Sequence, residues 1–132
     1  MKIERKKIET FEDVKLMVDD FYGKIRKNPL LKDIFNEVIQ DRWPEHLDKM
    51  YRFWQTVLLG EHTYNGAPFI PHAYLPVEKE HFDTWVGLFN ETVDTYFWGE
   101  LAEKAKWQGS RMAEMFLNKI RYFNNSQSIP LM

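Results

Sequence analysis

Cysteine is absent from the 132 residues, which excludes disulfides, thiolate metal sites and thiol nucleophiles and fits a reducing compartment. Also missing is any apolar run of the ~18 residues that a membrane span requires. The charged start MKIERKK is not followed by the apolar core of a signal peptide. An excess of one charge is lacking too. The net charge is −2 with both signs mixed throughout, so there is no electrostatic case for nucleic acid or an anionic membrane as partner. The glycine-rich phosphate loops, the nucleophile elbow G-x-S-x-G and the zinc pair H-E-x-x-H do not occur. Neither does an internal repeat, a domain linker or a low-complexity tract. These absences leave a soluble, cytoplasmic chain forming one domain over residues 1–132, a size that buries most of the surface its unfolded form exposes.

What the chain has in excess is aromatic side chains, 16% of residues, which need large apolar neighbours or a flat ligand to pack on. Helical periodicity organises nearly all of them. Thr10 with Glu12 and Asp13 marks a helix start. Val14, Val18, Phe21, Tyr22 and Ile25 then recur on one face until Asn28-Pro29 ends the helix. The stretch PLLKDIF reads as a short apolar turn. Asp41 or a neighbour restarts a helix with Pro44 in its first turn; its stripe is Trp43, His46, Leu47, Met50, Trp54, Val57 and Leu58, and Gly60 stops it. EHTYNGAPFIP is loop around Asn65-Gly66, followed by a brief helical piece at His72 that Pro76 stops. From Val77 a stripe of Phe82, Trp85, Val86, Phe89, Val93, Tyr96 and Phe97 runs to Gly99. A last helix carries Leu101, Ala105, Met112, Phe116, Ile120 and Phe123. The fold class is all-α, with a core over 11–123 and a frayed tail over 124–132. The sequon-like NET at Asn90 falls mid-helix and is set aside.

Three polar groups lie on inner faces of three different helices. His46 shares the stripe of Trp43, Met50 and Trp54. Tyr22 follows Phe21, and Trp85 brings an indole N–H. Each of these needs a hydrogen-bond partner if buried. A histidine on such a face is more often a satisfied core residue than a ligand, but three such groups on three helices point to a pocket. His72 differs because it sits on a short segment between Pro71 and Pro76, where proline restricts the backbone. His81 lies at the edge of the next stripe and reads as a surface or capping histidine; His62, in a polar loop, reads as exposed.

The order FY (Phe21, Tyr22), DIF ending at Phe35, WPEHL with His46, FW (Phe53, Trp54), YNG, H..LP from His72, and HFDTW ending at Trp85 resembles the truncated haemoglobins of the third group. The resemblance spans roughly residues 11–123. The glycine pairs of the other truncated groups are not visible here. It implies a two-over-two helical sandwich enclosing haem b, with His72 similar to the proximal iron ligand and Tyr22, His46 and Trp85 to the distal polar residues. Phe35 would pack on the haem edge, and Lys49, one turn beyond His46, would meet a haem propionate. Met50, Phe53, Trp54 and Phe69 would also contact the haem, as would Leu75, Phe82, Met112 and Phe116. No catalytic residue is assigned.

Neutral imidazole suits haem iron. Oxygen held there draws partial negative charge, and each hydrogen bond to it contributes about 1.5–3 kcal/mol. The leading expectation is therefore reversible binding of oxygen, nitric oxide, carbon monoxide or a small anion. Redox turnover at the same haem, as nitric oxide dioxygenation or peroxide chemistry with a reductase as partner, is a second reading. A haem-free helical domain presenting an aromatic groove is a third.

Overall fold

The computed structural model describes residues 4–64 and 77–128, the last six of these as backbone only. Its helices are α1 (Phe11–Ile25), α2 (Lys32–Ile39), α3 (Trp43–Leu59), α4 (Lys79–Tyr96) and α5 (Glu100–Ser128). Among the described residues the one β interaction is an isolated parallel bridge between Lys6 and Phe97. No helix among them is long and apolar enough to cross a membrane.

α1 starts as its sequence predicts. The Thr10 side chain accepts from the Asp13 N–H at 3.3 Å and the Asp13 carboxylate accepts from the Thr10 N–H at 3.1 Å, a reciprocal capping box. Its buried face is Val14, Met17, Val18, Phe21, Tyr22 and Ile25, spaced for one side of a 3.6-residue helix. Asn28 then turns the chain, its side-chain oxygen accepting from the N–H groups of Leu30 and Leu31 at 2.9 and 3.1 Å.

The stretch expected to be a short turn is instead two turns of helix, α2. Local propensity over so few residues is weak, and the stabilisation comes from both ends. Asn28 orders the entry. Arg42 donates to the Val38 and Ile39 carbonyls at 2.6 and 3.3 Å, satisfying acceptors that a helix C-terminus leaves open. The next helix begins at Trp43 with Pro44 in its first turn, and Gly60, at φ 71°, ends it in the left-handed conformation that glycine accepts without strain.

α4 ends at Tyr96, Phe97 is already extended, and Gly99, at φ 102°, redirects the chain into α5. Residues before α1, outside the expected core, lock this corner. The Lys6 N–H donates to the Tyr96 carbonyl and the Trp98 N–H to the Lys6 carbonyl, both at 3.0 Å. Ile8 is buried with the core. α5 continues to Ser128, five residues into the stretch expected to fray. α1 packs against α3 and α4, α4 against α5, and α3 touches α5. The pair α1/α3 thus lies over the pair α4/α5, and the all-α two-over-two expectation holds.

Candidate functional site

Phe89, fully buried, is the middle of a three-ring stack. Trp54 of α3 stacks on it at 4.9 Å and 20°, and Trp85 of α4 at 5.7 Å and 8°. Phe21 meets Phe89 and Trp85 edge-on, each at 5.2 Å. The stack exists because α5 has no side chain where it crosses: a Cβ at Gly109 would stand 3.0 Å from the Phe89 ring and 3.7 Å from Trp85.

Beside this stack opens a cavity lined by Tyr22 of α1, Leu31 and Phe35 at α2, Met50, Phe53 and Trp54 of α3, Val77, His81, Phe82 and Trp85 at α4, and Met112, Ala113 and Phe116 of α5. All five helices contribute. Its volume is about 60 Å³, well below the roughly 300–1,000 Å³ of ligand sites, so the walls stand close and a large flat group would have to part them.

Apart from methionine sulfur, the polar side-chain atoms of this lining belong, among the described residues, to Tyr22, Trp54, His81 and Trp85. All four can donate, and no carboxylate is among them. Tyr22 is 6% exposed, and none of the described residues hydrogen-bonds its hydroxyl. Burial pushes its pKa well above the usual value, which keeps the phenol protonated and able to donate. Its ring is held by Phe21 at 4.9 Å, Trp43 at 5.9 Å and His46 at 5.1 Å, all edge-on. Trp43 is fixed in turn, its indole N–H donating to Asn36 at 3.1 Å and the Arg26 guanidinium standing 4.5 Å over its ring.

His81 occupies the capping place that its position suggested. Its Nδ1 accepts from the Glu78 N–H at 2.9 Å, and the Glu78 side chain accepts from the His81 N–H. A backbone N–H can only donate, so Nδ1 keeps its lone pair and, in the neutral ring, Nε2 carries the proton. Held that way, His81 offers a donor and has no lone pair left for a metal.

Of the candidates named from sequence, Tyr22, Trp85, Phe35, Met50, Phe53, Trp54, Phe82, Met112 and Phe116 come together in this lining. His46 does not line it. It is half-buried against Tyr22 and Trp43, 5.7 Å from the latter. Lys49 is exposed on α3, outside the lining, and His62 is exposed. His72, Phe69 and Leu75 lie outside the described residues. Sequence reasoning missed Leu31, Val77 and Ala113 and set His81 aside. The signal for His81 was present, because it precedes Trp85 by four residues and therefore shares its helix face. Among the described residues no cluster of His, Asp and Glu is placed to hold a bare metal ion.

A family model for bacterial-like globins matches residues 6–118. The chain is 34% identical, over 120 residues, to the group 3 truncated hemoglobin ctb of Campylobacter jejuni; the match covers 86% of this chain and 94% of that protein. The crystal structure of a group III truncated hemoglobin from Campylobacter jejuni matches with a TM-score of 0.78 at 33% identity, across 91% of this chain and 95% of the other.

Proposed function

The chain belongs to the bacterial-like globins, as a truncated haemoglobin of the third group and hence a haem protein, and from that premise we propose that its cavity holds haem b on His72 and binds oxygen reversibly beside Tyr22 and Trp85. The observation that carries this reading is Tyr22, 6% exposed, whose hydroxyl has no hydrogen-bond partner among the described residues and which borders a cavity whose described polar groups can all donate. A phenol at the cavity wall with no protein partner is free to donate to what the cavity holds.

The lining fits such a group. Aromatic and methionine side chains suit a flat apolar plate, and the donors suit electron-rich oxygen. Haem, when bound, supplies an iron site at which a small ligand binds reversibly. The protein does the rest with its own atoms: Tyr22 and Trp85 offer an O–H and an N–H, and the Trp54–Phe89–Trp85 stack holds the indole rigid. The apolar walls exclude water, which strengthens each of these hydrogen bonds. His72 is favoured as the iron ligand because the His81 imidazole is committed to the α4 cap with its proton on Nε2.

Haem titration tests the reading. One equivalent of ferric haem should give an intense Soret band, and the reduced protein should bind carbon monoxide and oxygen reversibly. His72→Ala should abolish stable haem retention. Absence of a Soret band in the wild-type protein would overturn the proposal, and a His72→Ala variant that keeps haem would overturn the ligand assignment.

A further inference from the structure

We propose that His81 is a further binding residue of this cavity: its Nε2–H donates a hydrogen bond to a carboxylate at the rim of the cofactor. The inference rests on the haem reading and adds to it a contact with the cofactor's propionate edge.

Three observations meet at this residue. His81 lines the cavity from the first turn of α4. Its ring is oriented by the cap, since Nδ1 accepts from the Glu78 N–H at 2.9 Å while the His81 backbone N–H is taken by Glu78. A doubly protonated ring would lose that acceptor, so the cap selects the tautomer with its proton on Nε2. The side chain's remaining polar atom is therefore a donor. Among the described residues, the lining contains no acidic side chain that would take this hydrogen. The acids nearest in sequence, Glu80, Asp83 and Glu78, are all exposed; Asp83 accepts from Lys79 at 2.6 Å, and Glu78 is engaged in the capping box and stands 3.6 Å from Arg121.

The position also suits the ligand's polarity. Trp85 lies one helical turn further along the same face of α4, deeper in the stripe and stacked on Phe89. His81, at the helix start beside exposed Glu78 and Lys79, is nearer the water that a cofactor carboxylate must keep in reach. Iron protoporphyrin has its carboxylates along one edge and apolar substituents along the others. A donor at the helix start and donors deeper in therefore sort its edges and fix which way round it enters.

The test separates the donor from the cap. Glutamate and glutamine are both favoured at the third helical position of a capping box. His81→Gln keeps the acceptor for the cap and retains an amide donor; His81→Glu keeps the cap but replaces the donor with a repelling charge. Haem loss from each ferric holoprotein is followed by transfer to an excess of a haem-capturing apoprotein. His81→Gln should lose haem within about twofold of the wild-type rate, and His81→Glu roughly tenfold or more faster, as expected for a charge-assisted hydrogen bond removed. Lys104→Met, changed on the exposed face of α5 away from the cavity lining, serves as the comparison and should stay within about twofold. With the dimethyl ester of haem, which lacks carboxylates, wild type and His81→Glu should release it equally fast. Equal retention of ordinary haem by wild type and His81→Glu overturns the inference, as does a difference that persists with the ester. Failure to take up either haem overturns the haem reading together with this one.

Discussion

At position 22 a single oxygen atom decides whether the cavity wall can donate. Tyr22→Phe leaves the ring contacts to Phe21, Trp43 and His46 in place and removes only the hydroxyl. The oxygen dissociation rate, measured by stopped flow, should rise about tenfold or more, the kinetic equivalent of a lost hydrogen bond to a charged acceptor. Trp85→Phe should act in the same direction, and the double variant should fall short of the product, because both donors serve one ligand. His46 belongs in the same experiment for a different reason. Its place near a helix start suggests an entrance role, but the ring packs edge-on to Tyr22 at 5.1 Å and does not line the cavity. His46→Leu should therefore change the dissociation rate through Tyr22, and the change should vanish in a Tyr22→Phe background. Multiplicative effects of Tyr22 and Trp85, or a His46 effect that survives without the phenol, would contradict this division of roles.

Between elements, the close approach of α4 and α5 depends on Gly109. A methyl group there meets Phe89, which is fully buried, stacked with Trp54 and Trp85 and met edge-on by Phe21, and so has little room to yield. Gly109→Ala should cost about 1–3 kcal/mol in a urea titration, the usual range for overpacking; a neutral result would mean that the stack is looser than its geometry implies. The N-terminal segment is tied on by a different force. Burial pushes the Asp13 carboxyl up, but the Lys6 ammonium at 2.9 Å and the N–H groups of Glu9 and Thr10 outweigh it, and the net displacement is downward. A depressed carboxylate stabilises the fold above its usual value of 3.8, and that contribution disappears as pH falls through the lower folded value. Asp13→Asn should cost up to about 1 kcal/mol at neutral pH, as a weakened cap does. It should also flatten the acid limb of the stability curve, read from urea midpoints between neutral pH and below 3.8. An acid limb as steep as wild type would assign acid sensitivity to other groups. Elements whose cause is local were legible in the sequence: the Thr10–Asp13 box, the stripe from Trp43 to Leu58, the stop at Gly60. α2 was not, because what holds it are Asn28 and Arg42 beyond its own ends. The clamp of Lys6 on the α4–α5 corner was equally hidden, since its partners lie some ninety residues away. At the site, nine lining residues followed from apolar stripes and family order, whereas Leu31 and Ala113 were read into no stripe and Val77 stands only at the head of one, before its helix begins. The engagement of Nδ1 by Glu78, which fixes what His81 can offer, is a matter of ring orientation that spacing does not encode.

Across the whole molecule, the cavity joins all five helices, so what fills it stabilises the entire fold by mass action. Binding to the folded state alone adds about 4 kcal/mol when free ligand reaches about a thousandfold excess over Kd. The gain should be unevenly distributed in local opening. α2 has Ile39 as its one fully buried residue and no side-chain cap at its N-terminus, whereas α1 buries seven residues and is closed by a capping box. Phe35, the α2 side chain that reaches the cavity, is only half-buried. A helix with so few contacts of its own opens at low cost, and the narrow cavity has to widen on this side or another to admit a flat group. Hydrogen exchange should therefore find residues 32–39 among the least protected helical amides in haem-free protein, and haem should slow them by a larger factor than it slows the amides of α1. If α1 gains more than α2, the cavity opens elsewhere, and α2 is a fixed wall that owes its stability to Asn28 and Arg42 alone.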